Sequence, residues 1–474
     1  MSCKEDVQNY GIIYTPEKLV NKILDLIPKK SFQDPSLRWL DIGAGNGAFS
    51  LNLYDRLIND LSMAFPDIED RRNHIIKKMI YMVEIYPAHI ENLKKIFGNK
   101  ANIITDDFLS LNIFEYEQFD FIIGNPPYNS GGAIKTPTNS KQKKTDDGKA
   151  IYVDFIKKSL GLLYEGGMLN LIVPSLWLKP DRANLYNILT KQRIHKLHCL
   201  SASATQKEFD YHAQTPTCYF LIEKETSDQD ELISTDQVDM STQTQRPINI
   251  YDKFQEQYVA YRRLTPEYPI PTHGVSIINK LLPFIEKCGY LKVYKTSTPT
   301  KKTKISETSS ISGEIFQYPN IKTTLLKNNS HLAPEMVINY SDRPLQYSDK
   351  SKLVLAHKMY GFPFLDISNT YGISTRDNYI ILKKDYKIRE LKEIQAFLST
   401  KTAIYIFSTT NYRMRYLEKY AFQFIPNITR IPYFPKLTGL SRVMRDTTIY
   451  KYFDFTHAEQ EHIENYSKNY DFFI

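Results

Sequence analysis

Residues 37–49 read LRWLDIGAGNGAF, an apolar run that is followed by three closely spaced glycines. Residues 37–42 are typical of a short buried strand, and Gly43, Gly45 and Gly47 follow it directly. Glycines at the end of a strand allow a sharp turn into a helix and a close approach of the backbone to a ligand. Their spacing departs from the GxGxxG pattern of dinucleotide-binding turns. The stretch therefore predicts a strand–turn–helix unit that binds a ligand other than a dinucleotide.

Strand and helix signals alternate through the first half of the chain. Short apolar runs that end near Gly, Asp or Pro favour buried parallel strands. Six such runs are residues 37–42, 79–84, 102–105, 119–123, 168–173 and 217–222. The clearest amphipathic stretches, which predict helices, are residues 16–27, 87–97 and 151–163. This order predicts an α/β fold with a doubly wound, mostly parallel sheet that binds ligands at the carboxyl ends of its strands.

The length and the composition exclude several classes of protein. A chain of 474 residues favours two or three domains. Its four cysteines are scattered without a CxxC pair, which argues against a metal site and a disulfide framework and fits a reducing compartment. No apolar run approaches the roughly 18 residues of a membrane span, and the first residues, MSCKEDVQNYG, lack the apolar core of a secretory signal. We expect a cytoplasmic protein that binds neither a metal nor a membrane.

Positive charge is concentrated in the carboxyl-terminal part of the chain. Residues 271–474 contain 29 Lys and Arg against 18 Asp and Glu, whereas residues 1–225 contain 28 against 27. A polyanion is therefore expected to bind the carboxyl-terminal part. Thr456 and Glu459 form a capping-box pattern, which predicts a helix start near the end of the chain. The predicted divisions are an α/β domain at 1–225, a polar linker at 226–270, a mixed α+β domain at 271–440 and a helical tail at 441–474.

Acidic residues follow two more of the predicted strands. Glu84 ends the second strand, where a carboxylate can accept hydrogen bonds from both hydroxyls of a ribose. Asp106, Asp107 and Phe108 follow the third strand. A carboxylate there can accept a hydrogen bond from an adenine amino group, while an aromatic ring packs on the base. These residues predict a nucleoside-like ligand beside the glycine turn.

Asn125, Pro126, Pro127 and Tyr128 follow the apolar strand at 119–123. An amino group on an aromatic ring is a poor nucleophile, because its lone pair is delocalised into the ring. The Asn125 side-chain oxygen and the Pro126 carbonyl oxygen can accept both N–H groups and so localise that lone pair. Two consecutive prolines fix the backbone in advance, and Tyr128 offers a ring face to a planar target. The tetrapeptide therefore predicts group transfer to a planar amine.

The order of these motifs resembles that of gamma-class adenine-N6-specific DNA methyltransferases of restriction–modification systems. The resemblance covers the first half of the chain well and the last segment loosely. It implies a seven-stranded, Rossmann-like methyltransferase sheet and S-adenosylmethionine as the cofactor. The positions that match the cofactor-binding motifs are Tyr14, Thr15, Pro16, Asp41, Gly43, Gly45, Gly47, Glu84, Asp107, Phe108 and Asn125, with Asp106 as the alternative to Asp107.

Further matches concern the target base. The resemblance implies that residues 125–128 are catalytic. Residues 151–160 and 165–178 resemble two later motifs of the same enzymes. Residues 207–225, KEFDYHAQTPTCYFLIEKE, resemble the motif in which an aromatic residue packs on the flipped base. Phe209 is our first choice for that residue and Tyr211 the alternative.

The resemblance implies double-stranded DNA as the substrate. A base inside a duplex must be extruded to reach a pocket, and residues 271–440 are the implied target-recognition domain. Arg413 and Arg415 are candidates for contacts to phosphate or guanine. The Lys-rich insertion at 129–149 is longer than the family's connection, and Lys143 and Lys144 in it are candidates for phosphate contacts. We expect a monomer or weak dimer, with any cognate restriction endonuclease on a separate chain.

Three other functions remain open at this point. A protein-glutamine methyltransferase can use the same tetrapeptide, because a side-chain amide nitrogen is also planar and conjugated. An RNA methyltransferase is a second alternative with the same chemistry. A DNA-binding protein with an inactive methyltransferase fold is the third, although the complete motifs argue against it. The long basic region after the α/β domain favours DNA.

Overall fold

The computed structural model describes residues 13–112, 118–129, 150–225, 246–309, 315–325, 335–357, 363–413 and 417–468. These residues form two compact units. The first unit comprises residues 1–251 and 258–267, and the second comprises residues 252–257 and 268–474.

The first unit alternates strands and helices as the sequence predicts. Its helices are α1 (Glu17–Leu24), α2 (Ala48–Asp60), α3 (Ile68–His74), α4 (Pro87–Phe97), α5 (Tyr152–Leu162), α6 (Leu185–Lys191) and α7 (Ala202–Glu208). Its strands are β1 (Trp39–Ile42), β2 (Ile80–Val83), β3 (Asn102–Ile104), β4 (Phe119–Gly124), β5 (Leu163–Pro174), β6 (Arg193–Leu200), β7 (Thr217–Glu223), β8 (Ile248–Asp252) and β9 (Gln257–Tyr261).

All nine strands form one sheet, in the order β3-β2-β1-β4-β5-β7-β6-β8-β9. Strands β3, β2, β1, β4 and β5 are parallel neighbours, and β7 is antiparallel to both β5 and β6. Trp39 of β1 is in register with Ile80 of β2 and Phe121 of β4. The prediction of a mostly parallel α/β sheet is confirmed.

The core on one face of this sheet is built from aromatic and aliphatic side chains. The Trp39 ring stacks between Phe32 and Phe121, with centroid distances of 5.5 and 4.0 Å. Buried residues of α1, α2 and α4 pack in the same cluster, including Leu53 and Leu93. Because these residues recur at helical spacing on one side of each helix, they give the amphipathic pattern that the sequence shows.

The predicted number of seven strands and the predicted linker at 226–270 need correction. Strands β8 and β9 extend the sheet to nine strands, so residues 248–252 and 257–261 are part of the sheet and not of a linker, whereas residues 226–245 lie outside the described residues. The burial of β8 alternates, with Ile248, Ile250 and Asp252 buried and Asn249 and Tyr251 half-exposed. Such short, half-polar strands at a sheet edge resemble loops in sequence, because only every second residue is apolar.

The second unit is a mixed α+β structure, as predicted for residues 271–440. One four-stranded sheet has the order β10-β17-β14-β15, and another has the order β11-β13-β12-β16. These strands are β10 (Tyr294–Lys295), β11 (Ile305–Ser306), β12 (Tyr318–Leu325), β13 (Glu335–Ser341), β14 (Lys352–Ala356), β15 (Phe364–Asp366), β16 (Gly372–Ile373) and β17 (Asn378–Leu382). The helices are α8 (Val275–Cys288), α9 (Ile388–Leu398), α10 (Lys401–Ser408), α11 (Arg442–Tyr452) and α12 (His457–Ser467).

The carboxyl-terminal helices belong to the second unit and are not a separate tail. Helix α12 begins with the predicted capping box, in which the Thr456 and Glu459 side chains each accept a backbone N–H of the other residue. Glu459 also accepts a hydrogen bond of 2.6 Å from Lys280 of α8, and Lys401 of α10 pairs with Glu464.

Among the helices of the described residues, none has the length and the hydropathy of a membrane-spanning segment.

A buried ion pair joins β14 and β15 in the second unit. Lys352 and Asp366 are 0% and 1% exposed, and their Nζ and Oδ2 atoms are 2.6 Å apart. The same ammonium donates to the carbonyl oxygens of Tyr347, Lys350 and Tyr371 at 2.7 to 3.1 Å. All three N–H groups of the lysine can therefore be satisfied, which is the condition under which a buried charge is tolerated.

We predict that Lys352→Met destabilises the second unit by about 3–5 kcal/mol, because it leaves the Asp366 carboxylate buried without its cation. Lys322→Met is the control. It removes the cation of the exposed Lys322–Glu307 pair, and we expect a cost below about 1 kcal/mol. Denaturant unfolding of both variants measures how much each lowers the free energy of unfolding. An equal loss for Lys352→Met and Lys322→Met would contradict the stabilising role of the buried Lys352–Asp366 pair.

Candidate active site

Four loops of the first unit line one cleft. They follow β1, β2, β3 and β4, and the carboxyl ends of these parallel neighbours meet at the same edge of the sheet. The predicted site residues that line the cleft are Tyr14, Thr15, Gly43, Gly45, Glu84, Asp106, Asp107, Phe108, Asn125, Pro126, Pro127 and Tyr128. The glycine turn and the Asn-Pro-Pro-Tyr turn therefore share a cleft.

The backbone of the glycine turn lines the cleft, with open space next to two of its glycines. Gly43 and Gly45 have φ angles of +94° and +55°, and a Cβ atom on either would meet nothing within 4 Å. Gly47 has a φ of +89° and lies at the start of α2, where a Cβ would come within 2.9 Å of Leu93. The first two glycines thus expose backbone to a ligand, whereas Gly47 allows α2 to pack against α4.

Glu84 is tied to the backbone around the cleft. Its Oε2 accepts the Gly45 N–H at 2.7 Å, and its Oε1 accepts the N–H groups of Ile85 and Tyr86 at 2.9 and 2.7 Å. Burial by itself raises the pKa of this carboxyl. The His89 ring and the N–H groups of Tyr86 and Gly45 outweigh burial, so the pKa lies below its usual value. The carboxylate is therefore charged at neutral pH and holds the glycine turn in place.

His89 and Tyr86 are cleft residues that the sequence analysis missed. The His89 Nε2 atom is hydrogen-bonded to the Tyr14 hydroxyl at 3.1 Å, and its Nδ1 lies 3.8 Å from Glu84 Oε2. The ring also makes edge contacts with Tyr14 and Tyr86. His89 thereby links the residues before α1 to the residues after β2. A single histidine near a helix start carries no signal that would have identified it.

An aromatic and acidic wall follows β3. The Phe108 ring stacks on Phe155 of α5 with a centroid distance of 5.0 Å. Asp106 Oδ1 accepts the Asp107 N–H at 2.7 Å and so turns towards its own loop. Asp107 accepts the Leu109 N–H through Oδ1 at 2.9 Å. Both carboxylates line the cleft and each accepts a backbone N–H of its own loop, so the preference for Asp107 over Asp106 stays a prediction.

Lys158 of α5 holds this loop from outside the cleft. Its Nζ donates to the carbonyl oxygen of Leu109 at 2.8 Å and to that of Leu111. Burial lowers the pKa of Lys158, and the negative charges of Asp107 and Asp106 partly counteract burial. The aromatic wall is therefore held by a cation that bonds two carbonyl groups of the same turn.

Asn125 is oriented by the residues that precede α1. Its Nδ2 donates to Thr15 Oγ1 at 3.0 Å and to the Ile13 carbonyl oxygen at 3.4 Å. Its Oδ1 is buried and has no hydrogen-bond partner in the described part of the chain. An acceptor is thus available in the cleft without competition from the protein.

The Tyr128 ring lies at the same end of the cleft and makes an edge contact with Tyr152 at a centroid distance of 6.4 Å. Its hydroxyl is buried without a hydrogen-bond partner among the described residues. Burial, with a smaller contribution from Cys218, raises the pKa of Tyr128 above its ordinary value. The phenol is therefore neutral, and it is not a base at neutral pH.

Asp41, Pro16 and Gly47 do not line the cleft. Asp41 is buried beneath the glycine turn, where its Oδ2 accepts the Ser50 hydroxyl at 2.6 Å. Pro16 starts α1, because its carbonyl oxygen accepts the N–H groups of Leu19 and Val20. The structure thus gives these three residues structural positions next to the cleft.

Phe209 needs a correction. Its side chain is 0% exposed and belongs to the apolar core cluster, so it is not available to stack on a base in this conformation. Tyr211, the alternative, is 68% exposed and has a φ of +69°. The sequence could not distinguish the two, because their burial depends on packing against distant residues.

The predicted DNA-contacting residues are only partly described. Arg413 is exposed in the second unit, directly after the turn that follows α10. Lys143, Lys144 and Arg415 lie outside the described residues. Their roles stay predictions.

The structure thus has the mostly parallel α/β sheet that the sequence predicts, with a cleft at the carboxyl ends of its strands. Residues 46–204, about a third of the chain, match the family model of the Eco57I restriction-modification methylase. The Type II methyltransferase M.PaeR7I of Pseudomonas aeruginosa is 30% identical over 39% of this chain. The match covers 35% of that relative, so the chain spans about a third of its length. The resemblance to restriction–modification methyltransferases is confirmed.

Two further similarities are to a curated protein and to a solved structure. The release factor glutamine methyltransferase of Clostridium botulinum is 26% identical over 32% of this chain and 50% of its own length. Among solved structures, the M protein of the type I restriction enzyme EcoKI is similar, with 18% identity and a TM-score of 0.35 over 47% of this chain and 45% of that one.

The buried Asp41 gives a prediction about pH. Burial, reinforced by the negative charge of Glu84 and opposed by the Ser50 hydroxyl, raises the pKa of Asp41 to about 7. Between about pH 4 and pH 7 the unfolded chain therefore loses this proton while the folded chain keeps it. The contribution of Asp41 to the free energy of unfolding falls as the pH rises through this interval, by at most about 1.4 kcal/mol per pH unit, and is constant above it.

Asp41→Asn should remove this dependence, because the amide does not titrate. Urea unfolding of both proteins at several pH values gives the difference between them. We expect the wild type to lose stability relative to the variant from pH 5 to pH 7 and no further change above. A difference that does not vary with pH would contradict the raised pKa.

Proposed function

We propose that this chain transfers a methyl group from S-adenosylmethionine to N6 of an adenine that is extruded from double-stranded DNA. The observation that carries the proposal is the buried Asn125 Oδ1, which has no hydrogen-bond partner among the described residues and belongs to the same cleft as the glycine turn. In this proposal the first unit is the catalytic domain and the basic second unit recognises the target. A restriction endonuclease, where one exists, is a separate chain.

The residues of the cleft fit the cofactor. Glu84 provides a charged carboxylate for the ribose hydroxyls, and it has accepted three backbone N–H groups with two oxygens, which leaves a lone pair for a ligand. Asp107 and the Phe108 ring suit an adenine edge and face. Three carboxylates in one cleft also favour a cationic ligand. When bound, the cofactor supplies a methyl group already activated by its sulfonium.

The chemistry at the target follows from the rigid turn after β4. Asn125 Oδ1 and the Pro126 carbonyl oxygen accept the two N–H groups of the adenine amine, which localises the nitrogen lone pair. The nitrogen would then accept the methyl group that S-adenosylmethionine would supply, the electron pair of the carbon–sulfur bond would stay on sulfur, and one N–H proton would pass to solvent. Because Tyr128 is neutral, its contribution is a ring face and not proton abstraction. Positioning and fixed dipoles supply the catalysis.

A protein-glutamine methyltransferase is the second candidate, since one of the relatives carries that name. The relatives named as type II methyltransferases and the net positive charge of residues 271–474 favour DNA. Label transfer from S-adenosylmethionine to unmethylated plasmid DNA, to RNA and to a release-factor-like protein distinguishes the candidates. The modified base and its sequence context follow from sequencing the methylated DNA.

We predict that Asn125→Ala abolishes methyl transfer to DNA and leaves the cofactor Kd within about threefold of wild type. The substitution removes the acceptor for the target amine, whereas Glu84 and the glycine turn remain. Radiolabel transfer to DNA measures the methyl-transfer activity, and calorimetry measures the Kd of the cofactor. Asn249→Ala, which removes a half-buried amide bonded to the His195 carbonyl in the same unit, is the control. Near-normal turnover of Asn125→Ala would exclude the assigned role.

We also predict that Glu84→Ala weakens cofactor binding by about 1.5–3 kcal/mol, the value of a hydrogen bond to a charged group. The Kd then rises by roughly 10- to 150-fold. Glu91→Ala on the exposed surface of α4 is the matched control. Calorimetric titration with S-adenosylmethionine tests both variants, and an unchanged Kd for Glu84→Ala would remove this carboxylate from the cofactor site.

A further inference from the structure

Residues 13–16, which we call the strap, contact both Asn125 of the turn after β4 and His89 near the start of α4. Ile13, Tyr14 and Thr15 line the cleft, and the carbonyl of Pro16 starts α1. On one side the strap is bonded to His89 through the Tyr14 hydroxyl. On the other side it accepts the amide of Asn125 through Thr15 and Ile13. The strap is therefore hydrogen-bonded to His89 through Tyr14 and to Asn125 through Thr15 and Ile13.

The bonds to the strap determine which way the Asn125 amide faces. A side-chain amide has an oxygen edge that accepts and a nitrogen edge that donates. A carbonyl oxygen only accepts, so the edge of Asn125 next to the Ile13 carbonyl must be the nitrogen edge. This contact is long, at 3.4 Å, whereas the contact to Thr15 Oγ1 is 3.0 Å. The Thr15 hydroxyl is thus the stronger of the two acceptors.

We propose that Thr15 is a positioning residue that acts through Asn125: the Ile13 carbonyl selects the nitrogen edge of the amide, and the Thr15 hydroxyl, the closer acceptor, holds that edge in place, so that Oδ1 faces the target amine. This inference rests on the proposed function. Rotation of the amide by 180° would present N–H groups to the N–H groups of the target, and the acceptor would be lost. Thr15 is itself buried, so water does not readily replace its hydroxyl.

The experiment compares Thr15→Val with Thr15→Ser in the full-length chain. Valine has the shape of threonine but no hydroxyl, and serine keeps the hydroxyl. We expect Thr15→Val to lower the single-turnover rate of methyl transfer to unmethylated plasmid DNA by about tenfold or more, as the loss of one ordering hydrogen bond implies. The cofactor Kd should change by less than about threefold. Thr15→Ser should recover most of the rate.

Thr402→Val is the matched control, because Thr402 is also a buried threonine but lies in the second unit. We expect it to keep the wild-type rate. If Thr15→Val raises the cofactor Kd in proportion to the loss of rate, or if Thr15→Ser does not recover the rate, Thr15 acts on cofactor binding or folding and the inference is overturned. A wild-type rate for Thr15→Val overturns it as well. Failure of the wild-type chain to methylate DNA would instead exclude the proposed function.

Discussion

The candidate site depends on one constraint, which is that β3, β2, β1 and β4 are parallel neighbours. Because parallel strands end at the same edge, the loops after them converge even though their residues are far apart in the chain. The register of Trp39 with both Ile80 and Phe121 brings the loops that follow to the same level. The stacked rings of Phe32, Trp39 and Phe121 support this register from the core side. Glu84, Asp107 and Asn125 become neighbours of the glycine turn for this reason.

Hydrogen bonds to backbone groups then link the loops to one another. The Glu84 carboxylate accepts an N–H of the glycine turn, so the shape of one loop depends on the charge of another. The Asn125 amide reaches the residues before α1, which are more than a hundred positions away in the chain. A ligand that contacts any of these loops meets a surface whose parts are already fixed relative to one another, which lowers the ordering cost of binding.

The sequence predicts those parts of the structure that have local signals. The glycine turn, the apolar strands and the capping box at Thr456 are each visible within a few residues, and the structure has all of them. Strand β6, with the sequence RIHKLHCL, was not predicted, because its apolar residues are separated by charged and polar ones and do not form a continuous apolar run. His89 and the burial of Phe209 could not be predicted, because each depends on residues that only tertiary packing brings near. The same reason explains why Asp41 lies beneath the cleft and not in it.

The chain enters the second unit at residue 252, returns to the first at 258 and leaves again at 268. The sheet of the first unit is therefore completed by a segment that follows residue 225, where the sequence alone would end the domain. A fragment cut at that residue would lose β8 and β9 and leave the backbone N–H and C=O groups of β6 unpaired at the border of the sheet. Such a border is a template for intermolecular strand pairing. We therefore expect the shortened fragment to aggregate. A fragment that extends to residue 267 keeps β8 and β9, and β8 still pairs with β6.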